Sequence, residues 1–424
     1  MSSVISLKTR TTFWTPARDG NDFLARYQFR SVYQPIYSPT HRRLVGYEAL
    51  TRVQREGRHI PPQQLFALAH QENLTDQLDC HLMLQHLAAF AGQEQPVWLF
   101  LNISPDTCSH PGGCLESLAA QCRALSLQPG QVVLEVVETA TDDKQALLDF
   151  IRQAKAQGFQ IAIDDFGTGD SNFERMWQLE PLIVKLDRSL LVNAEQNPRA
   201  RLLLESLVKM IRESGSLVLL EGIETEPQAK IALATEADLM QGFLFGEPDG
   251  LSPDSADQLQ QHFRDELDRN RISTMVDIQA HEGFLRLLRF EILEACHQVM
   301  RRTNLQAACD NLLGLDGIKR CFLLDRNGVQ QGNPALIRPA LSSTPFNPLY
   351  GSRGACWAHR EYTRNAVDQP QQIHASRPYV ALPDAARTVT LSTGIQFDNQ
   401  TMIFCVDLHP DEVFEGQLDF PKTI

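Results

Sequence analysis

The sequence has no long apolar run. No segment approaches the 18 or so consecutive apolar residues that a membrane-spanning helix needs, and the longest strong run, residues 97–103, has only the length of a strand. The first residues also lack the apolar core and small-residue cleavage site of a secretory signal. These absences argue against a membrane span and predict a cytoplasmic protein.

Paired cysteines and a surplus of basic charge are also missing. The nine cysteines form no CxxC pair and no Cys/His zinc spacing, and an odd number cannot pair completely within one chain. We therefore expect reduced, mostly buried thiols. The net charge of −13 argues against a DNA-binding groove, which usually needs a basic face. Carboxylates gathered in one pocket would instead hold cations.

What is present is an alternation of short apolar runs with helical patterns. A chain of 424 residues suits a large domain and a smaller one. Eight candidate strands between about residues 30 and 246 predict an α/β fold, a TIM-like (β/α)8 barrel. They cover residues 31–37, 46–53, 97–104, 132–138, 161–166, 183–187, 217–223 and 240–245.

The remainder of the chain has a different pattern. Turn-forming residues at 247–253 end the barrel, and residues 255–313 are predicted to be mainly helical. This helical segment either links or dimerises the domains or packs on its own domain. From residue 320 the pattern predicts strands of a small α+β domain.

Polar residues fall late in the barrel strands or just after them, where a β/α barrel opens to its reactants. One buried carboxylate is commonly a paired structural charge, but seven or more that converge need protons or bound cations. Oxygen ligands of this kind suit Mg²⁺, Mn²⁺ or Ca²⁺, and the adjacent Asp164 and Asp165 are placed to bridge a metal pair. Phosphodiester hydrolysis is the matching chemistry. Lys185 then either orients the attacking water or pairs with a neighbouring carboxylate.

Eight short motifs make the pattern specific. In chain order they begin at Tyr33 (YQPI), Glu48 (EALTR), Asn102 (NIS), Glu135 (EVVE), Asp164 (DDFGTG), Lys185 (KLD), Glu221 (EGIE) and Gln241 (QGF). Together they resemble, over residues 28–250, the EAL-domain phosphodiesterases of cyclic diguanylate (cyclic di-GMP).

That resemblance implies a barrel with one reversed strand that hydrolyses cyclic di-GMP to the linear dinucleotide pGpG. Two divalent cations, Mg²⁺ or Mn²⁺, are implied, and Ca²⁺ is expected to inhibit. One metal is expected on Glu48, Asn102, Glu135 and Asp164, and the second on Asp164, Asp165 and Glu221. The implied catalytic set is Glu221, Lys185, Glu138 and Glu224, with Glu221 either a base or a metal ligand. The implied substrate-binding and supporting set is Arg52, Gln34, Leu50, Gln241 and Asp187.

The sequence departs from the family pattern at Asp170 and Asn172, in the loop after Asp165, where Tyr and Ser are usual. This loop joins the metal site to the dimer interface in the family, so the changes bear on regulation. No GG[DE]EF motif occurs, which argues against synthesis of the messenger. The alternative function is a catalytically silent cyclic di-GMP receptor that acts through a protein partner.

The C-terminal segments around residues 322–328, 356–362, 376–379, 388–392 and 406–407 resemble PAS/Cache-like sensor domains. This resemblance implies either a dimerisation module or a pocket for a small-molecule ligand. The expected pocket comprises Trp357, Arg360, Tyr362, Arg377 and Tyr379. The full prediction is an N-terminal extension (1–27), a barrel (28–252), a helical linker (253–313) and a sensor or dimerisation domain (314–424), in a homodimer.

Overall fold

The structure is a computed structural model that describes residues 18–93, 96–109, 113–137, 144–167, 173–251, 253–336, 353–381, 386–397 and 400–410. The chain divides into two compact units, Met1–Arg271 and Ile272–Ile424. The domain boundaries proposed from the sequence differ from this division and stay a prediction.

Nine strands form the sheet of the first unit. They are β1 (Gln28–Ser38), β2 (Arg43–Arg55), β3 (Arg58–Ile60), β4 (Trp98–Ile103), β5 (Val132–Val137), β6 (Gln160–Phe166), β7 (Ile183–Leu186), β8 (Leu217–Leu220) and β9 (Leu239–Gln241).

Eight of these strands close into a barrel. The order β1-β9-β8-β7-β6-β5-β4-β2 is closed by pairing of β1 with β2, and β3 is an extra strand on the outer side of β2. Strand β1 runs antiparallel to both of its neighbours, whereas the other barrel strands pair in parallel. The predicted TIM-like barrel with one reversed strand is therefore confirmed.

Helices cover the outside of the barrel. They are α1 (Arg18–Leu24), α2 (Pro62–Gln71), α3 (Thr75–Phe90), α4 (Pro105–Ser109), α5 (Cys114–Ala124), α6 (Lys144–Ala156), α7 (Phe173–Leu179), α8 (Arg188–Gln196), α9 (Pro198–Glu213), α10 (Glu226–Ala234) and α11 (Pro253–Met300).

Helix α9 shows why these segments are helical. Asn197 precedes it, and the Asn197 side chain accepts a hydrogen bond from the backbone N–H of Arg199, which satisfies one of the free donors of the first turn. Leu204, Val208 and Ile211 recur at helical spacing and are all buried. The apolar face of the helix is therefore held against the barrel core.

The inside of the barrel contains a separate apolar layer. Its fully buried members come from successive strands and pack against one another: Ile36, Phe100, Val133, Ala162, Ile183, Leu219 and Leu239. This layer fills the barrel, so that a site can form only at its mouth.

Two strands end earlier than the sequence pattern predicted. Strand β8 ends at Leu220 and β9 at Gln241, whereas the predicted strands continued to residues 223 and 245. Gly222 has φ +64°, outside the range of a strand, and Phe245 bonds back to Gly242. At Gly242 a side chain would collide with the backbone of Ile223, so these glycines turn the chain away from the barrel.

The second unit contains an antiparallel sheet. Its strands are β10 (Ile318–Asp325), β11 (Gln330–Leu336), β12 (His374–Ala375), β13 (Tyr379–Ala381), β14 (Ala386–Phe397) and β15 (Gln400–Leu408). Their order is β11-β10-β15-β14-β12, and β13 pairs with β14. The helices are α12 (Leu305–Ala308), α13 (Asp310–Leu313) and α14 (Glu361–Asp368). A second, smaller sheet domain therefore follows the barrel, and its PAS/Cache-like character stays a prediction.

One face of this sheet and the C-terminal half of α11 share a core. Leu288, Ile292 and Val299 of the helix are buried with Phe404 and Val406 of β15. None of the described helices combines the length and the hydrophobicity that a bilayer crossing requires.

Candidate active site

The polar residues of the barrel mouth stand in register above the interior apolar layer. Side chains two positions apart on a strand share a face, so the residue two positions after each interior residue points into the barrel above it. Six predicted site residues occupy these positions: Asn102, Glu135, Asp164, Lys185, Glu221 and Gln241. In β2, Glu48 is two residues after Gly46, and in the reversed β1, Gln34 is two residues before Ile36. The barrel therefore brings together residues that are far apart in the sequence.

Lys185 is at the centre of this cluster. Its Nζ is 2.6 Å from Glu135 Oε1, 2.7 Å from Glu221 Oε1, 3.0 Å from Asp164 Oδ1 and 3.8 Å from Glu48 Oε2. The lysine side chain is only 1% exposed, which means that water does not screen these charges. Both sequence hypotheses for Lys185 place it near carboxylates, and the structure shows that it pairs with four.

The electrostatics of the cluster are unbalanced. Burial alone would lower the pKa of Lys185, but the surrounding carboxylates outweigh burial and hold that pKa well above its ordinary value. Burial raises the pKa of Glu135 and of Glu221, and the neighbouring carboxylates add to the rise while Lys185 opposes it. One lysine thus leaves excess negative charge in the cluster.

A β-bulge places two adjacent aspartates at the same mouth. Ile163 pairs with Val184 and Phe166 with Leu186, so Asp164 and Asp165 together face the single Lys185. Asp165 has φ +55°, an uncommon conformation for a residue other than glycine. In a regular strand these two side chains would point to opposite faces. Here carboxylate oxygens of Asp164, Asp165 and Glu221 all lie within 4.8 Å of one another.

Amide side chains hold Glu48 in place. Asn102 Nδ2 donates to Glu48 Oε1 at 3.0 Å, and Gln241 Nε2 donates to Glu48 Oε2 at 2.7 Å. This arrangement leaves the amide oxygen of Asn102 as its metal-ligating atom, because the nitrogen is already committed to Glu48.

The end of the Asn102 strand is itself anchored by a residue that the sequence reasoning missed. The buried Asp79 accepts hydrogen bonds from the backbone N–H of Ser104 at 2.8 Å and from Thr107 Oγ1 at 2.6 Å. Burial raises the pKa of Asp79 to about 6, although these hydrogen bonds oppose the rise. An aspartate on the inner, otherwise apolar face of helix α3 is the sequence signal that could have identified it.

The remaining predicted site residues surround this cluster. Asp187 Oδ1 caps α8 by accepting from the Ser189 N–H at 2.9 Å, and Glu224 Oε2 is 2.6 Å from Arg188 Nη2. Leu50 and Arg52 follow Glu48 on the same half-buried face of β2. Glu138, Asp170 and Asn172 lie outside the described residues.

The donor set fits divalent cations. Glu48, Glu135, Asp164, Asp165 and Glu221 provide carboxylate oxygens, which hard cations such as Mg²⁺, Mn²⁺ and Ca²⁺ prefer. Within the described residues, the buried Glu135 Oε2 has no hydrogen-bond partner. A cation would neutralise the excess charge that raises the carboxyl pKa values and would use such an oxygen.

Comparison with known proteins agrees with this geometry. Residues 17–248 match the model of the EAL domain. The chain belongs to the EAL family. Among its EAL relatives, the cyclic di-GMP phosphodiesterase RocR of Pseudomonas aeruginosa is 27% identical over 226 residues, which are 52% of this chain and 57% of RocR. An uncharacterized signaling protein of Caulobacter vibrioides is 30% identical over 235 residues, which are 55% of this chain and 29% of that protein. The chain thus spans less than two thirds of either relative.

A solved EAL structure is similar over both units. The YkuI protein of Bacillus subtilis, solved in complex with its substrate cyclic di-GMP and calcium, superposes with a TM-score of 0.72. The match covers 93% of this chain and 99% of YkuI at 21% sequence identity. At this identity the similarity establishes the fold.

The second unit contains the pocket region predicted from the sequence. Trp357, Tyr362 and Tyr379 line a cavity there, and the guanidinium of Arg360 lies 5.0 Å above the ring of Tyr379. Arg377 is exposed and is not among the lining residues. Three other lining residues, Arg320, Gln330 and Asp407, were not in the predicted pocket. Asp407 could have been recognised as a charge between the apolar residues Val406 and Leu408.

Proposed function

We propose that this protein is a metal-dependent phosphodiesterase that hydrolyses cyclic di-GMP to pGpG. The observation that carries the proposal is the cluster of five acidic residues around the buried Lys185, with two of them brought together by the bulge of β6. Membership of the EAL family and the similarity to RocR support the choice of substrate.

Two divalent cations, Mg²⁺ or Mn²⁺, would supply an activated water and neutralise charge on the phosphate. Glu48, Asn102, Glu135 and Asp164 would hold one cation, and Asp164, Asp165 and Glu221 the other. Ca²⁺ would occupy the same oxygen ligands and inhibit.

The protein side chains position the reactants. Lys185 Nζ donates hydrogen bonds at the centre of the mouth, where it orients the attacking water and stabilises the negative charge that develops on the phosphate. Arg52 offers paired donors to a phosphate oxygen. The water oxygen bonds to phosphorus, the bond from phosphorus to a ribose oxygen breaks, and a proton passes to that leaving oxygen. Glu221 acts in this site either as the base or as a metal ligand.

Purified protein incubated with cyclic di-GMP and Mg²⁺ or Mn²⁺ tests the proposal. We expect pGpG, quantified by chromatography, to form with either metal, and to be absent with EDTA and in Glu48→Ala. The exposed Glu213→Ala on α9 is the matched control and should retain activity. Tight binding of cyclic di-GMP without metal-dependent pGpG would instead identify a receptor that acts through a protein partner.

We propose in addition that the second unit regulates this hydrolysis and that the protein acts in the cytoplasm. All nine cysteines are free, and eight of them are buried, which suits a reducing compartment. Fractionation of cells followed by immunoblotting tests the location. Comparing pGpG formation by the whole chain before and after adding a ligand of the second unit tests the regulation.

We also propose that the protein forms a homodimer through helix α11. On the helix face opposite the buried Leu288 and Ile292, the exposed residues Phe290, Leu293, His297 and Met300 follow one another at spacings of three and four. This is the spacing of a coiled-coil seam, which a second copy of the same helix can complete. Light scattering should give a dimer mass, and Phe290→Asp should lower it. The exposed Leu203→Asp on α9 is the control.

A further inference from the structure

The cavity in the second unit lies between strands of the sheet and the segment that leads into α14. It is lined by aromatic rings and by the charged side chains of Arg320 and Asp407. Its volume of about 10 Å³ admits about one water-sized group. Trp357 and Arg360 are only partly buried and stand at its edge. The cavity thus suits the small polar end of a ligand whose body stays at the opening.

Gln330 presents a hydrogen-bond donor to this cavity. The side chain is 4% exposed, and its Oε1 accepts from Trp357 Nε1 at 3.3 Å. This bond fixes which end of the amide is which, and the Nε2 has no hydrogen-bond partner in the described part of the chain. A buried donor left unsatisfied costs about 1–3 kcal/mol, so Gln330 Nε2 calls for an acceptor that a ligand can supply.

Arg360 adds a second donor of the same kind. Its guanidinium lies over the ring of Tyr379, and its buried Nε has no hydrogen-bond partner among the described residues. With Arg320, the cavity has two cationic side chains for the single carboxylate of Asp407. The site therefore has a surplus of positive charge, although the chain as a whole carries −13.

The carboxylate of Asp407 already has donors. Arg320 Nε and Nη2 both lie 2.6 Å from Asp407 Oδ2, and Thr390 Oγ1 donates to Oδ1 at 2.6 Å. Because the Thr390 proton goes to Asp407, the hydroxyl of Tyr379 donates to Thr390 Oγ1, at 2.7 Å. Asp407 is thus neutralised from within the protein, and an ammonium group entering the cavity would have to compete with Arg320 for it.

We propose that this cavity binds the carboxylate end of a small organic acid, with Gln330 Nε2 and Arg360 Nε as its donors and Trp357 beside its body. The donors select an acceptor, the net charge selects an anion, and the committed Asp407 disfavours an amine. Such a ligand would be the input for the regulation proposed above. The regulatory role rests on that proposed function, whereas the binding itself does not.

Calorimetric titration of the full-length protein in EDTA, without cyclic nucleotide, tests the binding separately from hydrolysis. The probes are acetate and pyruvate, with acetamide and methylammonium as matched neutral and cationic probes. We expect acetate or pyruvate to bind at least ten times more tightly than acetamide, and methylammonium not to bind. Absence of binding by both carboxylates at millimolar concentration, or equal binding of acetamide, would overturn the proposal even if the enzyme hydrolyses cyclic di-GMP.

Two variants test the assigned donors. Gln330→Leu should weaken binding of the better carboxylate by about ten- to a hundredfold, because a hydrogen bond to a charged group is lost. Arg360→Gln at the partly exposed edge should weaken it similarly and decides the matter if circular dichroism shows that Gln330→Leu is misfolded. The exposed neighbour Gln331→Leu should bind as the unmodified protein does. Unchanged affinity in folded Gln330→Leu or in Arg360→Gln would contradict the assignment.

Discussion

Replacement of Lys185 by methionine should destabilise the metal-free protein strongly. The lysine contacts four carboxylates at 2.6–3.8 Å and is 1% exposed. Each contact corresponds to roughly 4–6 kcal/mol of gross attraction at an effective dielectric constant near 20, most of which is offset by the cost of burial. Removing one partner of a buried ion pair typically costs about 3–5 kcal/mol, because the other charge stays buried. We expect a loss of this size for Lys185→Met in EDTA at pH 8.

The same variant should respond more than the native protein to a divalent cation. Mg²⁺ or Mn²⁺ would neutralise the carboxylates that the lysine no longer pairs with, and ligand binding stabilises the folded state by mass action. Lower pH should also reduce the loss, since burial already raises the pKa of Glu135 and protonation removes its charge.

Thermal and urea unfolding, each with EDTA and with Mn²⁺, provide the measurement. For a domain of this size, a loss of 3–5 kcal/mol lowers Tm by about 6–20 °C. Lys209→Met, at an exposed position on α9, is the control and should change Tm little. A loss below about 1 kcal/mol for Lys185→Met in EDTA, or a smaller gain from Mn²⁺ than in the native protein, would refute this account of the cluster.

Three further predictions concern residues outside the cluster. His86 bonds Ser31 Oγ and Thr51 Oγ1, and burial lowers its pKa to about 4, so its contribution is full above pH 6.5 and lost as pH falls through 4. His86→Gln should remove up to about 3 kcal/mol of that pH dependence of unfolding. Asp79, with a pKa raised to about 6, has the opposite sign: its contribution is full below pH 3.8 and lost as pH rises through 6, so Asp79→Asn should remove a dependence of about 3 kcal/mol. Gly242→Ala should lower stability by about 1–3 kcal/mol in urea unfolding, because the added Cβ meets the backbone of Ile223.

The controls follow from the same structure. Gly250→Ala has open space around the added carbon and should change stability by less than about 0.5 kcal/mol. Urea unfolding of the His86 and Asp79 variants between pH 4 and 7 separates the two titrations, which partly offset each other in the native protein. Unchanged pH profiles in both variants would show that these groups do not titrate as the structure indicates.

Much of the first unit could be predicted from its sequence. The β-rich runs alternate with amphipathic helices, and parallel strands of a barrel end at one mouth, so the polar residues Asn102, Glu135, Asp164 and Glu221 were expected to meet. The prediction was wrong about the ends of β8 and β9. Periodicity extends a strand as long as apolar residues continue, whereas Gly222 and Gly242 end these strands through backbone conformation and close approach.

The sequence by itself determined which side chains stand at the mouth of the barrel, because their spacing from the interior apolar residues follows the two-residue period of a strand. Only the tertiary structure decided how they are used. The bulge that turns both Asp164 and Asp165 toward Lys185 depends on register with the neighbouring strand, and register is a property of paired strands. The cavity around Gln330 and Asp407 likewise exists only after distant strands have paired, since burial and unused hydrogen-bond donors are properties of the packed chain.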